Sequence, residues 1–291
     1  MSVTAGQAVL LGIVQGLTEF LPVSSTAHLA LAQRFLPGFG QPGILFDVLL
    51  HVGTLVALVV YFRTRIAATL TGAVSSDAPE RRRAWRLIAL LALAVGCTGV
   101  LTMPLKRLAI EGMTDFRRMG VALLGTAALL CVAQRVGRAR AERGRSLDEI
   151  RPRDAALVGA CQSVSAILHG FSRSGNTISV GLFAGLSRRA AAEFSFLLSI
   201  PTILAAAAVE NLDAWHRTGP LLDGSSLSAY VVGMLAAAVV GYFAISALLR
   251  VVVSMRLWPF IVYCALLGLV LVLFADRLSP GLGGDPGILS S

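Results

Sequence analysis

The sequence predicts an all-α polytopic membrane protein with about six transmembrane helices and two re-entrant helix–loop–helix hairpins, in an inverted-topology internal repeat. Three observations predict it. Hydrophobic residues make up 56% of the chain and charged residues 14%, against about 25% charged in an ordinary soluble domain. Mean hydropathy is +0.77, and several apolar runs approach the roughly 20 residues that cross a hydrocarbon layer. They are continuous rather than alternating, unlike the strands of a membrane β-barrel. Finally, two further pairs of apolar segments are too short to span, and each is broken by a polar island.

The net charge of +9 is carried almost wholly by arginine, with Lys106 the single lysine. The arginines sit in short turns beside apolar spans, a positive-inside pattern rather than the basic face of a nucleic-acid binder. Cys97, Cys131, Cys161 and Cys264 each lie in an apolar run without a C-x-x-C spacing, and read as small buried hydrophobes. No basic region precedes residues 3–14, so no cleavable leader is expected.

Residues 3–20 form the first short arm, and Pro22 can end it. Ser24, Ser25 or Thr26 can then cap a second arm to about Arg34. A glycine- and proline-rich turn, Pro37 to Pro42, precedes the first span at 44–62, and an arginine-rich loop covers 63–86. The next spans are expected at about 87–103 and 119–134, separated by a loop of mixed charge at 104–118. Residues 135–153 are the most basic stretch. Segments 155–168 and 177–187 are the arms of the second hairpin, and spans follow at about 192–209, 228–249 and 257–275. The tail after Arg277 reads as frayed.

By the arginine rule the loops at 63–86, 135–153, 188–189 and 250–256 are cytoplasmic, and those at 104–118 and 210–227 lie outside. Both short pairs must then return to the side they came from, the first entering from outside and the second from the cytoplasm. The halves, 1–136 and 154–276, each read as a hairpin plus three spans. Displaced by 147 residues, Gln15 falls on Gln162, Pro22 on His169 and Ser25 on Ser172. An odd number of spans per half makes the repeats inverted, an architecture whose binding sites lie where broken helices meet.

The islands carry the chemistry. In the second, Ser172, Arg173, Ser174, Asn176 and Thr177 gather a guanidinium, hydroxyls and an amide at an expected helix N-terminus. Backbone N–H groups and the helix dipole favour an anion there, and the arginine fork suits phosphate oxygens. The plainer reading is a capped helix with a snorkelling arginine, but a buried arginine without an anion is costly. In the first island Glu19 is a candidate base or ligand to a divalent cation, and Gln15, on the same helical face, supplies either a neutral oxygen ligand or a helix–helix hydrogen bond. His28 is a proton-transfer candidate. Ser24, Ser25 and Thr26 are candidate nucleophiles or phosphate donors, one of the two serines serving as a cap. Asp47 and His51 read as a buried hydrogen-bonded pair supporting the site at most, Glu193 as another supporting group or a partner of Arg188 or Arg189, and His216 as a loop residue without a role.

The run Gly16-Leu17-Thr18-Glu19-Phe20-Leu21-Pro22-Val23-Ser24-Ser25-Thr26-Ala27-His28 closely resembles the first signature of the BacA-type undecaprenyl-diphosphate phosphatases, and Gly170 to Thr177 resembles the second. Phe46-Asp47, His51 to Thr54 and Ala191 to Leu198 also look like that family. The resemblance implies a membrane phosphatase that converts undecaprenyl diphosphate to undecaprenyl phosphate and phosphate, recycling the cell-wall lipid carrier and conferring bacitracin resistance. It implies a divalent cation, magnesium or calcium, at Glu19 and Gln15. Catalytic roles fall on Glu19, His28, Ser25 and Arg173, with phosphate contacts from Ser24, Ser172, Arg173, Ser174 and Thr177. An active site opening to the outside of the plasma membrane is expected. Ser25 and an activated water both stand as nucleophile. The chain departs from the family pattern at His169, where proline is usual, at Asn176, and in having Gln15 rather than Glu. The competing function is transport of an anionic lipid or solute, which needs an anion clamp but no carboxylate–imidazole pair. A homodimer is kept as a candidate assembly, the sequence carrying no signal for oligomeric state.

Overall fold

A computed structural model of the chain describes residues 3–39, 44–112, 115–139, 144–218, 227–254 and 256–278, which are helical with no β-strand among them. The first hairpin is α1 (Ala5–Phe20) and α2 (Ser25–Phe35). Thr4 and Gln7 form a capping box that starts α1. Pro22 stops it, with Val23 N donating to Leu21 O at 2.8 Å across a tight turn. Ser24 then takes a left-handed conformation (φ 70°) and caps α2, a strained geometry for a residue other than glycine. Next come α3 (Ile44–Tyr61), α4 (Arg63–Ala73), α5 (Ala78–Thr102), α6 (Lys106–Gly112) and α7 (Phe116–Ala139). The second hairpin is α8 (Pro152–Ile167) and α9 (Arg173–Phe183), followed by α10 (Arg188–Thr218), α11 (Leu227–Ser254), α12 (Trp258–Leu273) and α13 (Ala275–Leu278).

By length and composition α5, α7, α10 and α11 can each cross a membrane; α3 and α4 pass together but bend by 71°, and α12 is a shorter apolar helix. Side-chain contacts sort the segment ends into two groups. Arg65 and Arg86 bind Asp148, Arg86 also reaches Ile150 O, Arg145 reaches Ala184 O, and Arg188 reaches Gly137 O and Val253 O. At the other end Gln7 binds Pro37 O, Arg34 binds Leu278 O and Arg117 pairs with Asp276. The first hairpin therefore starts and finishes at the end holding α13, and the second starts and finishes at the arginine-rich end.

Each hairpin packs along a helix from the other half, α1 against α11 and α8 against α5. The α1–α11 approach is close enough that a Cβ on Gly16 would stand 2.8 Å from Ala237 O, so small residues set this interface. The largest apolar cluster lies behind the hairpin tips, where Phe20 meets Phe196 edge-on at 5.9 Å.

The structure corrects several expectations. Residues 63–86 are not a loop: Phe62 ends α3, α4 turns away, and Asp77 and Pro79 start α5 nine residues ahead of Leu87. The arginines there sit on helix, so apolar content alone misplaces the boundary. The 104–118 segment likewise contains α6, and α10 runs unbroken through Pro201 to Thr218. Cys264 is buried, but Cys97, Cys131 and Cys161 are only half-buried. Residues 219–226, the remainder of that expected outer loop, and the tail from 279 lie outside the described residues.

Candidate active site

The two hairpin tips meet. Ser174 Oγ donates to Leu21 O at 3.1 Å, and Gly170 N donates to Thr26 Oγ1 at 3.4 Å. Gly170 has φ 98°, and a Cβ there would lie 2.5 Å from Met119 O on α7. Gly170→Ala is therefore expected to displace the second tip, costing about 1–3 kcal/mol in thermal unfolding and most of the activity.

The contact centres on Glu19, a buried carboxylate at the end of α1. Arg173, the first residue of α9, donates through Nη2 to its Oε1. The other oxygen, Oε2, accepts from Ser25 Oγ at 2.6 Å and from Gln15 Nε2 at 2.9 Å, and His51 Nε2 stands 3.6 Å away. A buried carboxylate demands such compensation. Ser25 opens α2, so the reverse turn at Pro22 and Ser24 brings its hydroxyl back over Glu19. Gln15 lies one turn before Glu19; its amide N–H faces the carboxylate, and its Oε1 is buried without a hydrogen-bond partner.

In the second island Ser172 caps α9 by accepting from Gly175 N at 3.2 Å, while its own N–H donates to Thr126 Oγ1 at 3.0 Å. Ser174 Oγ lies 3.3 Å from Ser172 Oγ. Thr177 is one turn further in, 2.5 Å from Ser195 Oγ. Ser24 Oγ is buried, accepting from Ala27 N at 3.5 Å and lying 3.1 Å from Thr26 Oγ1. His28 makes its hydrogen bonds away from Glu19: Nδ1 donates to Ser24 O at 2.7 Å, and Nε2 lies 2.6 Å from Tyr263 Oη on α12.

The structure brings Glu19, Gln15, Ser25 and Arg173 together, and adds two contacts that sequence reasoning does not name, His51 to Glu19 and Tyr263 to His28. The expected Asp47–His51 hydrogen-bonded pair forms, half-buried and with the Asp47 backbone as acceptor. His51 Nδ1 donates to the backbone oxygen of Asp47 at 2.8 Å, the Asp47 carboxylate accepts from Gln33 at 2.8 Å, and the other face of His51 reaches Glu19. A carbonyl one helical turn back is a ready partner for an i+4 imidazole, which the residue spacing alone does not separate from a carboxylate. Tyr263 is missed altogether, being one of three aromatic residues on an apolar helix, with nothing in the sequence to set it apart from Trp258 and Phe260. Glu193 pairs with Arg189 at 2.8 Å, one of its expected partners, and the His216 side chain lies outside the described residues.

A bundle of apolar helices whose two broken hairpins join a carboxylate, a guanidinium and a cluster of hydroxyls defines a multi-pass membrane protein with an anion-ready polar centre. The sequence profile described as Bacitracin resistance protein BacA matches residues 8–270, and the chain belongs to that family. The undecaprenyl-diphosphatase of Syntrophotalea carbinolica is 41% identical over 261 residues, covering 90% of this chain and 95% of that protein. Those of Gemmatimonas aurantiaca and Treponema denticola are 41% and 39% identical over 272 residues, each covering 92% of this chain and 96% of the relative.

Proposed function

We infer that the protein is a membrane phosphatase that hydrolyses undecaprenyl diphosphate to undecaprenyl phosphate and inorganic phosphate. The observation that carries the chemistry is the junction of the hairpins: Arg173 and Ser25, from opposite halves of the chain, bind the two oxygens of one buried carboxylate. Arg173 suits the terminal phosphate with its planar fork, leaving Glu19 when the more highly charged anion arrives. Ser172 and Ser174 line the same helix start. The Ser25 hydroxyl already donates to Glu19, which favours Ser25 over water as the first nucleophile. Ser25 Oγ attacks the terminal phosphorus, its proton passes to Glu19, and the bridging P–O bond breaks to release undecaprenyl phosphate. Water then cleaves the phosphoserine, returning the proton to Ser25 and releasing phosphate. Transport of the lipid is not favoured, since a carrier has no use for a hydroxyl held on a base.

The site suits a hard divalent cation. Among the described residues no three His, Cys, Asp or Glu side chains gather as a ready-made metal cluster, but Gln15 Oε1 is buried without a partner beside the Glu19 carboxylate. Gln15 and Glu19 would hold magnesium or calcium together with substrate phosphate oxygens, and the ion would neutralise charge on the phosphates. Chelator is expected to reduce activity by at least tenfold, with recovery on adding magnesium or calcium; Gln15→Glu is expected to raise metal affinity.

Arg65, Arg86, Arg145 and Arg188 gather at one end of the bundle, against Arg34 and Arg117 at the other, which supports a cytoplasmic placement for the richer end and an outward entry for the first hairpin. The packing of α1 on α11 and of α8 on α5 supports inverted repeats over 1–136 and 154–276. The functional reading is tested with purified protein in detergent. It is expected to release one phosphate per undecaprenyl diphosphate and leave the monophosphate. Release of both phosphates, or none from folded protein, contradicts it.

A further inference from the structure

Helix α12 grips the first hairpin at two adjacent residues. Cys264 Sγ lies 3.3 Å from Pro22 O, at the turn. Tyr263 stacks on His28 with ring centroids 5.6 Å apart and planes 15° apart, and its Oη lies 2.6 Å from His28 Nε2. Tyr263 is 44% exposed, so its contact with His28 is not forced by a closed core around it.

The hydrogen bonds fix the state of the imidazole. The Ser24 carbonyl can only accept, so the ring proton is on Nδ1, at 2.7 Å. In the neutral ring Nε2 then carries the lone pair, and the Tyr263 hydroxyl donates to it. The strained turn at Ser24 (φ 70°) aims that carbonyl at the ring. His28 stands one turn from Ser24 and Ser25 on the same helix, on the face that carries the hydroxyls. An imidazole held at Nδ1 alone could still swing its Nε2 about that bond, and a second contact at Nε2 fixes where the lone pair points.

We propose that Tyr263 is a positioning residue of the phosphatase site: with the Ser24 carbonyl setting the Nδ1–H form, its hydroxyl donates to Nε2 and holds the ring oriented with Nε2 as a proton acceptor at the edge of the hairpin. This rests on the phosphatase reading above. When substrate and water are bound, Nε2 exchanges the tyrosine hydroxyl for the water that cleaves the phosphoserine, and takes its proton. A phenylalanine at 263 keeps the stacked ring and loses only the hydroxyl.

The test combines kinetics with ¹⁵N-histidine NMR of the full chain in detergent, the His28 signals being identified by their loss in His28→Asn. Wild type is expected to show a single Nδ1–H tautomer. Tyr263→Phe is expected to keep the Nδ1–H tautomer, to shift the Nε2 resonance as its hydrogen bond is lost, and to lower kcat about tenfold, with KM within about threefold. Cys264→Ala loosens the same helix contact without touching His28, and is expected to leave both the Nε2 resonance and kcat unchanged. An unaltered Nε2 resonance or an unaltered kcat in Tyr263→Phe overturns the proposal, as does an equal kcat loss in Cys264→Ala. Wild type that releases no phosphate yet shows the single tautomer overturns the phosphatase reading instead. Should Tyr263→Phe fold poorly, the same two readouts on Tyr263→Leu decide, again with a shifted Nε2 resonance and reduced kcat expected.

Discussion

Arg173→Ala is expected to reduce phosphate release by about 10³-fold, the scale seen when one charged donor to a transferring phosphoryl group is lost. The guanidinium is the one cationic side chain that the second island contributes, and it reaches the Glu19 carboxylate from the other half of the chain. Arg173→Lys keeps the charge and loses the fork, so it is expected to recover only part of the rate. The variant also leaves Glu19 buried with His51 as its nearest charged or chargeable neighbour. Thermal unfolding measured beside the kinetics separates lost chemistry from lost fold: a modest stability change with the rate collapse supports the site, whereas near-normal turnover removes Arg173 from it.

Asp154→Ala is expected to be the most damaging change to stability, at about 3–5 kcal/mol, because it strands one partner of a buried pair. Asp154 is 1% exposed. It accepts from Arg145 Nη1 at 2.5 Å and from Arg151 N at 2.9 Å, and so caps α8 while tying it to the preceding loop. The same guanidinium donates to Ala184 O at 2.6 Å at the end of α9, and Arg145 N donates to Gly185 O at 3.0 Å. One arginine thus closes the base of the second hairpin across both arms. Arg145→Met with Asp154→Leu is expected to cost less than either loss alone, since no charge is left unpaired. Unfolding in detergent micelles, followed by circular dichroism, measures both. An Asp154→Ala variant as stable as wild type contradicts this view of the hairpin base.

The parts of this architecture that were legible in the sequence are those set by composition and local chemistry. Pro22 and the serines after it announce a broken helix, and Ser172 announces the start of α9. The concentration of polar groups at Glu19 and Arg173 in an apolar chain marks them as costly unless paired, which is why their meeting could be expected before it was seen. Less legible were features decided by tertiary contact. The bend after Tyr61 leaves α4 as a separate helix, although the arginines on either side read simply as loop. His51 turns to Glu19 because the first hairpin packs beside α3, and Tyr263 meets His28 because α12 crosses the hairpin tip; neither partner is near in sequence.

The most direct test of the central claim is a double-mutant cycle on Glu19 and Arg173, read as kcat/KM for undecaprenyl diphosphate. If the two halves of the chain build one site around this pair, Glu19→Gln and Arg173→Ala each remove most of the rate. The double variant then falls little below the weaker single, because groups acting as a unit do not lose additively. Losses that multiply in full would show the two residues acting independently, and would contradict a shared site at the hairpin junction.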